Sequence, residues 1–240
     1  MSRDARHLAL KQVGESGQRS IADGHALLIG VGGIGCPAAS YLAACGVGEI
    51  TLSDFDTVDE TNLGRQILFG PDDVGELKAD VARRRLLQIN PDITVNAVTD
   101  RLDAEALRRA VDTADVVLDG CDNFATRFAV SDACVATGTR LVSGSAIRME
   151  GQLAVFGPDY STSPTYRCFY SDADESLESC AGNGVLSPVP GVIGTLMAVE
   201  AIKYLVGIPT PVGRLSLYQG ATGEFTEIQI RKRTDCDRAE

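Results

Sequence analysis

The chain is short of positive charge, of histidine and of long apolar runs, and each shortage removes a class of function. Lysine and arginine number 22 against 33 aspartates and glutamates, a formal net charge of −11. Gripping a phosphate backbone requires a basic face, so nucleic acid is not an expected partner. There are two histidines, His7 and His25, and neither has sequence neighbours that would make it a metal ligand. Both are read as structural or exposed. No run of 18 apolar residues and no signal-peptide pattern is seen, so no membrane span is expected and the protein is placed in the cytoplasm. The seven cysteines are odd in number and scattered, which predicts reduced thiols rather than a disulfide framework. Long polar tracts are missing as well. With 44% hydrophobic residues over 240 positions, the composition argues against disorder and for one α/β domain with a sizeable core.

What is present is a glycine turn in the right setting. Ala26 to Ile29 reads as a buried strand, Gly30, Gly32 and Gly35 follow with G-x-G-x-x-G spacing around Gly33, and Cys36 to Cys45 is a small, apolar helical segment. Glycines there permit positive φ and let backbone N–H groups approach a phosphate at the positive end of the helix. A second strand, Glu49 to Ser53, ends at Asp54, placed to accept hydrogen bonds from a ribose. The plainer reading is a tight turn with Asp54 as a cap or surface charge. Asp56, Asp59, Asn62 and Arg65 then crowd the C-terminal edge of the sheet, where doubly wound folds bind ligands. A dinucleotide oxidoreductase has no need of them, whereas attack on the α-phosphate of ATP is catalysed by positioning and charge. Taken alone, Arg65 reads equally well as a surface ion pair.

The stretches GVGGIG, LSDFDTVDETNLGRQILF, GELKAD, GCDN and SGSAIRMEGQ, in that order, resemble the ThiF/MoeB family, the bacterial adenylyltransferases related to the ubiquitin-activating enzymes. The resemblance runs from about Arg3 to Arg231. It implies a Rossmann-like doubly wound sheet, parallel in its N-terminal half and antiparallel in its C-terminal half. It further implies ATP-dependent adenylation of the C-terminal glycine of a small ubiquitin-like sulfur carrier, ThiS- or MoaD-like, on a homodimer, with a sulfurtransferase as a further partner. Carried over residue by residue, ATP is held by Gly30, Gly32, Gly33, Gly35, Asp54, Asn62, Arg65, Lys78, Asp122 and Asn123. Asp122 binds Mg²⁺, an assignment that suits a hard cation. Its alternative is to cap the following helix. Arg6, second of an R-x-x-R pair with Arg3, reaches into the partner subunit's ATP site; its plain alternative is an exposed, mobile arginine. Cys180 matches the loop cysteine that joins the activated carrier in the thiamin branch and is dispensable in the molybdopterin branch. Asp172, Asp174, Glu175 and Glu178 nearby would raise its pKa, so a spectator role stays open.

The chain departs from the family in one place. Most members hold a structural zinc with two C-x-x-C pairs; here only Cys168 and Cys236 stand where those pairs would be, and a closed tetrahedral site wants four ligands. A Cys₄ zinc is therefore not expected, and the two cysteines are read as relics. The remaining elements are a polar arm over residues 1–24, a helix over Glu76 to Ile89 with Lys78 one turn inside, and a strand from Ile93 to Val98. Arg83 to Arg85 is read as a solvated face. Then come a helix over Ala104 to Val111, a strand over Asp115 to Leu118, a helix over Asn123 to Thr137, and strands over Arg140 to Ser145 and Gln152 to Phe156. Ser161 to Asn183 is read as a mobile loop, Val192 to Val206 as a buried helix, and Arg214 to Tyr218 with Phe225 to Ile230 as a terminal hairpin. Three other functions remain in view: adenylation of a peptide or secondary-metabolite carrier, an NAD-dependent oxidoreductase, and a non-catalytic binding module. Pyrophosphate exchange separates the last two from an adenylating enzyme.

Overall fold

The computed structural model describes residues 3–170, 184–233 and 236. Its centre is the apolar run that opens the glycine turn. Strand β1 (His25–Ile29) keeps Ala26, Leu27 and Leu28 fully out of water, as a strand covered on both faces must. Parallel partners flank it: β2 (Glu49–Ser53) and then β3 (Thr94–Val98) on one side, β4 (Val116–Asp119) and β5 (Arg140–Ile147) on the other. From β5 the sheet continues antiparallel through β6 (Glu150–Phe156), β7 (Arg214–Gln219) and β8 (Glu224–Gln229), in the overall order β3-β2-β1-β4-β5-β6-β7-β8. The expected parallel and antiparallel halves are both there.

Helices cover the two faces. α3 (Gly35–Cys45), α4 (Lys78–Ile89) and α8 (Pro188–Leu205) pack on one face with α2 (Gly14–Asp23), while α5 (Ala104–Asp112), α6 (Phe124–Thr137) and the short α7 (Tyr166–Phe169) pack on the other. The arm opens with α1 (Ala5–Leu8). Among the described residues no helix is long and apolar enough to cross a membrane.

Several expectations need correction. α4 starts at Lys78, because Thr57 and Leu77 form an antiparallel bridge that keeps the chain extended up to that point. Lys78 is therefore the first helical residue rather than one turn inside. The Arg83 to Arg85 run is not merely solvated. Arg84 pairs with Glu76 at 2.7 Å, Arg85 with the buried Asp73 at 3.1 Å, and Arg83 donates to the Val95 carbonyl at 3.0 Å, so the run ties α4 to the loop before it and to β3. Within the stretch read as a loop, Tyr166–Phe169 forms a helical turn whose Tyr166 ring packs on Phe128 and Phe156. Four residues are too few to show a helical period. Cys168 and Cys236 are not free relics: they form a disulfide across 68 residues, joining α7 to the C-terminal segment beyond β8. Cys36, Cys45, Cys121 and Cys134 are free thiols, and Cys180 lies outside the described residues.

Candidate active site

The C-terminal ends of β1, β2, β4 and β5 open onto a cleft of about 490 Å³. Its floor is the glycine turn. Gly30 has φ +85°, and a Cβ there would meet the Cys121 backbone at 3.0 Å. Gly35 has a different purpose: a Cβ on it would lie 2.0 Å from the Gly30 carbonyl, so it lets α3 sit directly on the turn and does not itself line the cleft. Gly32 and Gly33 present bare backbone to the cavity, and no side chain caps the N-terminus of α3. Within its first turn the Cys36 N–H already donates to the Gly32 carbonyl at 2.9 Å and Pro37 has no N–H, so an anion here is met by the backbone of the glycine turn and the positive end of the helix.

Asp54, 9% exposed at the end of β2, accepts from the Val31 N–H at 2.7 Å and the Asp56 N–H at 3.0 Å. Burial pushes its carboxyl above the ordinary value, opposed by the Val31 hydrogen bond and by the charge on Lys78. It fixes the first glycine step while still lining the cavity. Lys78 is 6% exposed, and its ammonium meets the Asp56 carboxylate at 3.0 Å. The Asp56 side chain is 56% exposed, so the pair has one end in the cleft wall and one in water. Arg65 donates to the Thr61 carbonyl at 3.0 Å and stands beside Gly33. On the other wall Asp122 is exposed, with no partner among the described residues, because Asn123 takes the cap of α6 by accepting from the Thr126 N–H at 2.9 Å. The alternative of Asp122 as helix cap is thereby removed. A free carboxylate at a phosphate cradle suits Mg²⁺, which is held through one or two carboxylates, phosphate oxygens and water.

Gly30, Gly32, Gly33, Asp54, Arg65, Lys78, Asp122 and Asn123 all line the cleft, whereas Asn62 and Arg6 do not. The buried Asn62 forms a reciprocal cap with Asp59 on the turn Glu60–Asn62 beneath Arg65, so it shapes that turn. Arg6 is exposed on α1; its neighbour Arg3 donates to the Ile89 carbonyl at the far end of α4, a helix of 12 residues and about 18 Å from Lys78. Two buried groups escaped the sequence reading. Arg127, on α6, binds the Cys121 carbonyl at 2.5 Å and the Gly144 carbonyl at 3.0 Å and pairs with Asp119 at 3.5 Å, clamping the turn that carries Asp122. Its signal was the one positive charge on a mostly apolar helix whose other charge is Asp132. Gln66, 4% exposed beside Arg65, has a side-chain oxygen with no hydrogen-bond partner.

Known proteins resemble this chain in sequence and in fold. The ThiF family model matches residues 5–238. The chain is 45% identical over 234 residues to the sulfur carrier protein ThiS adenylyltransferase of Escherichia coli, covering 98% of this chain and 93% of that protein. It is 42% identical to the adenylyltransferase and sulfurtransferase MOCS3 of Drosophila yakuba over 98% of its length, but spans only 52% of that longer protein. Solved structures of E. coli MccB share the fold: one with MccA-N7isoASN has a TM-score of 0.85 at 23% identity, covering 98% of this chain and 74% of MccB. Another, with ATP, has a TM-score of 0.80 at 24% identity, covering 92% of this chain and 67% of MccB.

Proposed function

The chain belongs to the ThiF family, and from that premise we propose that it adenylates the C-terminal carboxylate of a small ubiquitin-like sulfur carrier at the expense of Mg-ATP. The observation that carries the reading is the convergence of Arg65, Lys78 and Asp122 on one glycine turn, from three separate elements of the chain. A dinucleotide oxidoreductase leaves that convergence without a purpose.

The nucleotide's phosphates rest on the bare backbone of Gly32 and Gly33 and the N-terminus of α3, and its ribose lies toward Asp54. Lys78 brings a buried positive charge to the phosphates, Arg65 a guanidinium able to grip two oxygens. Asp122 is the ligand for Mg²⁺, which when bound neutralises phosphate charge. A carrier carboxylate oxygen attacks the α-phosphorus, the bond from that phosphorus to the bridging oxygen breaks, and pyrophosphate leaves. The carboxylate is already ionised at neutral pH, so no general base is called for, and the chain's task is alignment and charge neutralisation. The acyl adenylate then passes to a sulfur donor, a step to which Cys180 is assigned. We place the enzyme in the cytoplasm as a homodimer, with the partner subunit's Arg6 completing each cleft. Support for the dimer lies in Arg6 being exposed and remote from its own cleft.

The test is ATP–pyrophosphate exchange with Gly-Gly-ended carriers, using wild type, Asp122→Ala and Cys180→Ala. Carrier-dependent exchange that falls at least about 100-fold in Asp122→Ala and survives in Cys180→Ala is expected. Exchange driven only by a peptide or small carboxylate would replace the carrier as substrate.

A further inference from the structure

The nucleotide's contacts occupy only part of the cleft. In the sheet order, Asp54 ends β2, the glycine turn follows β1, and Asp122 follows β4, so a bound nucleotide runs from β2 to β4. The cavity goes further, over β5 and β6, where Ser145, Ala146, Gln152 and Tyr170 line it. These side chains are small or neutral, and Arg127, the cleft-lining cation that reaches β5, is engaged by the Cys121 and Gly144 carbonyls and by Asp119. This end is suited to a neutral polar group rather than to a phosphate.

Ser145 and Gln152 are cross-strand partners on β5 and β6, with side chains on the α6 face. The Gln152 side-chain oxygen accepts from the Tyr170 hydroxyl at 3.1 Å and from the Ser145 hydroxyl at 3.4 Å. Tyr170 is itself held by ring contacts with Phe124 at 5.0 Å and Phe169 at 4.2 Å. The amide oxygen is turned toward both hydroxyls, one of them a phenol that donates more readily than it accepts. The other end, the NH₂, has no partner among the described residues although Gln152 lines the cleft. A neutral donor locked in one orientation is a device for reading a carbonyl.

Distance says which carbonyl. Two strand spacings separate β4 from β6, about 10 Å. An extended chain rises about 3.3 Å per residue, so a peptide whose terminal carboxylate stands at Asp122 passes Gln152 about three residues upstream. We propose that Gln152, oriented by Ser145 and Tyr170, binds the acyl substrate by donating its amide N–H to a backbone carbonyl of an extended C-terminal tail. A main-chain carbonyl carries no side-chain information, so this contact fixes the register of the tail and leaves the carboxylate at the α-phosphorus. The inference rests on the adenylation reading above.

The test measures pyrophosphate exchange at varied sulfur carrier ThiS and, separately, varied ATP. Losing a contact made equally in ground and transition states raises KM and leaves kcat alone. Gln152→Leu is expected to raise the carrier KM about tenfold, with kcat and the ATP KM within about threefold of wild type. Gln152→Glu, which keeps the shape and both hydroxyl contacts but cannot donate, is expected to raise carrier KM at least as far, and it guards against a folding defect in the leucine variant. An unchanged carrier KM in both variants, or an ATP KM that rises in step with it, overturns the assignment. If wild type shows no exchange with any Gly-Gly-ended carrier, the adenylation reading falls, and the role of Gln152 with it. Wild-type exchange unaffected by either variant removes Gln152 alone.

Discussion

At the scale of single residues, the site is a set of charges whose counterparts have been arranged so that each can be spared. Lys78 is buried, but the Asp56 carboxylate it meets is more than half in water. Removing the ammonium therefore leaves its paired carboxylate in water, while the buried Asp54, which also loses the Lys78 charge, keeps its hydrogen bonds from the Val31 and Asp56 N–H groups; methionine fills much the same volume. Lys78→Met is expected to lower kcat/KM for ATP by about 100-fold while shifting folding stability by less than about 1.5 kcal/mol. Steady-state exchange together with a urea unfolding curve checks both halves. A loss of stability as large as the loss of activity would mean that Lys78 serves the fold and not the phosphates. Arg127 is the opposite case. Its partner Asp119 is as deeply buried as itself, so truncating it would leave an uncompensated charge, and its loss would not report on catalysis alone.

Individual elements show where local pattern suffices. The strand Glu49–Ser53 has the bounds read from sequence, and no strand end of the terminal hairpin β7–β8 differs by more than one residue, because alternation and turn glycines are local signals. α8 begins four residues before the expected Val192, since Pro188 and Pro190 fall in the first turn, where a missing N–H costs no hydrogen bond. α7 was unreadable: a four-residue turn is stabilised by the Tyr166 ring against Phe128 and Phe156 and by the bond from Cys168 to Cys236, contacts distant in sequence. That bond closes a loop of 68 residues, for which constraint of the unfolded chain contributes about 2–4 kcal/mol. Thermal unfolding with and without dithiothreitol should show a lower midpoint on reduction in wild type and no response in Cys168→Ser/Cys236→Ser. A midpoint indifferent to reductant in wild type would show that the two sulfurs are not joined.

For the whole molecule, the separation of Arg6 from its own cleft becomes a prediction about assembly. If the partner subunit's Arg6 completes each site, Arg6→Ala and Asp122→Ala are both inactive alone, yet a remixed heterodimer holds one intact site. Random reassociation of equal amounts puts half of the molecules in that state, so about a quarter of wild-type exchange should return. No recovery after verified subunit mixing would place Arg6 outside the active site.

The sequence by itself determined the parts of this protein whose physics is local. An apolar run, glycines at fixed spacing and a carboxylate at the next strand's end already specify a phosphate cradle, because turn conformation and helix entry depend on neighbours a few residues away. The two halves of the sheet followed from the family resemblance. Only the tertiary structure decided which polar groups were left over for chemistry. It assigned the α6 cap to Asn123 and so freed Asp122, put Asn62 into its own turn, and joined Cys168 to Cys236. It also set Gln152 between two hydroxyls from separate elements. Whether a hydrogen-bonding group is spent or free depends on partners dozens of residues away, and that accounting closes only when the chain is folded.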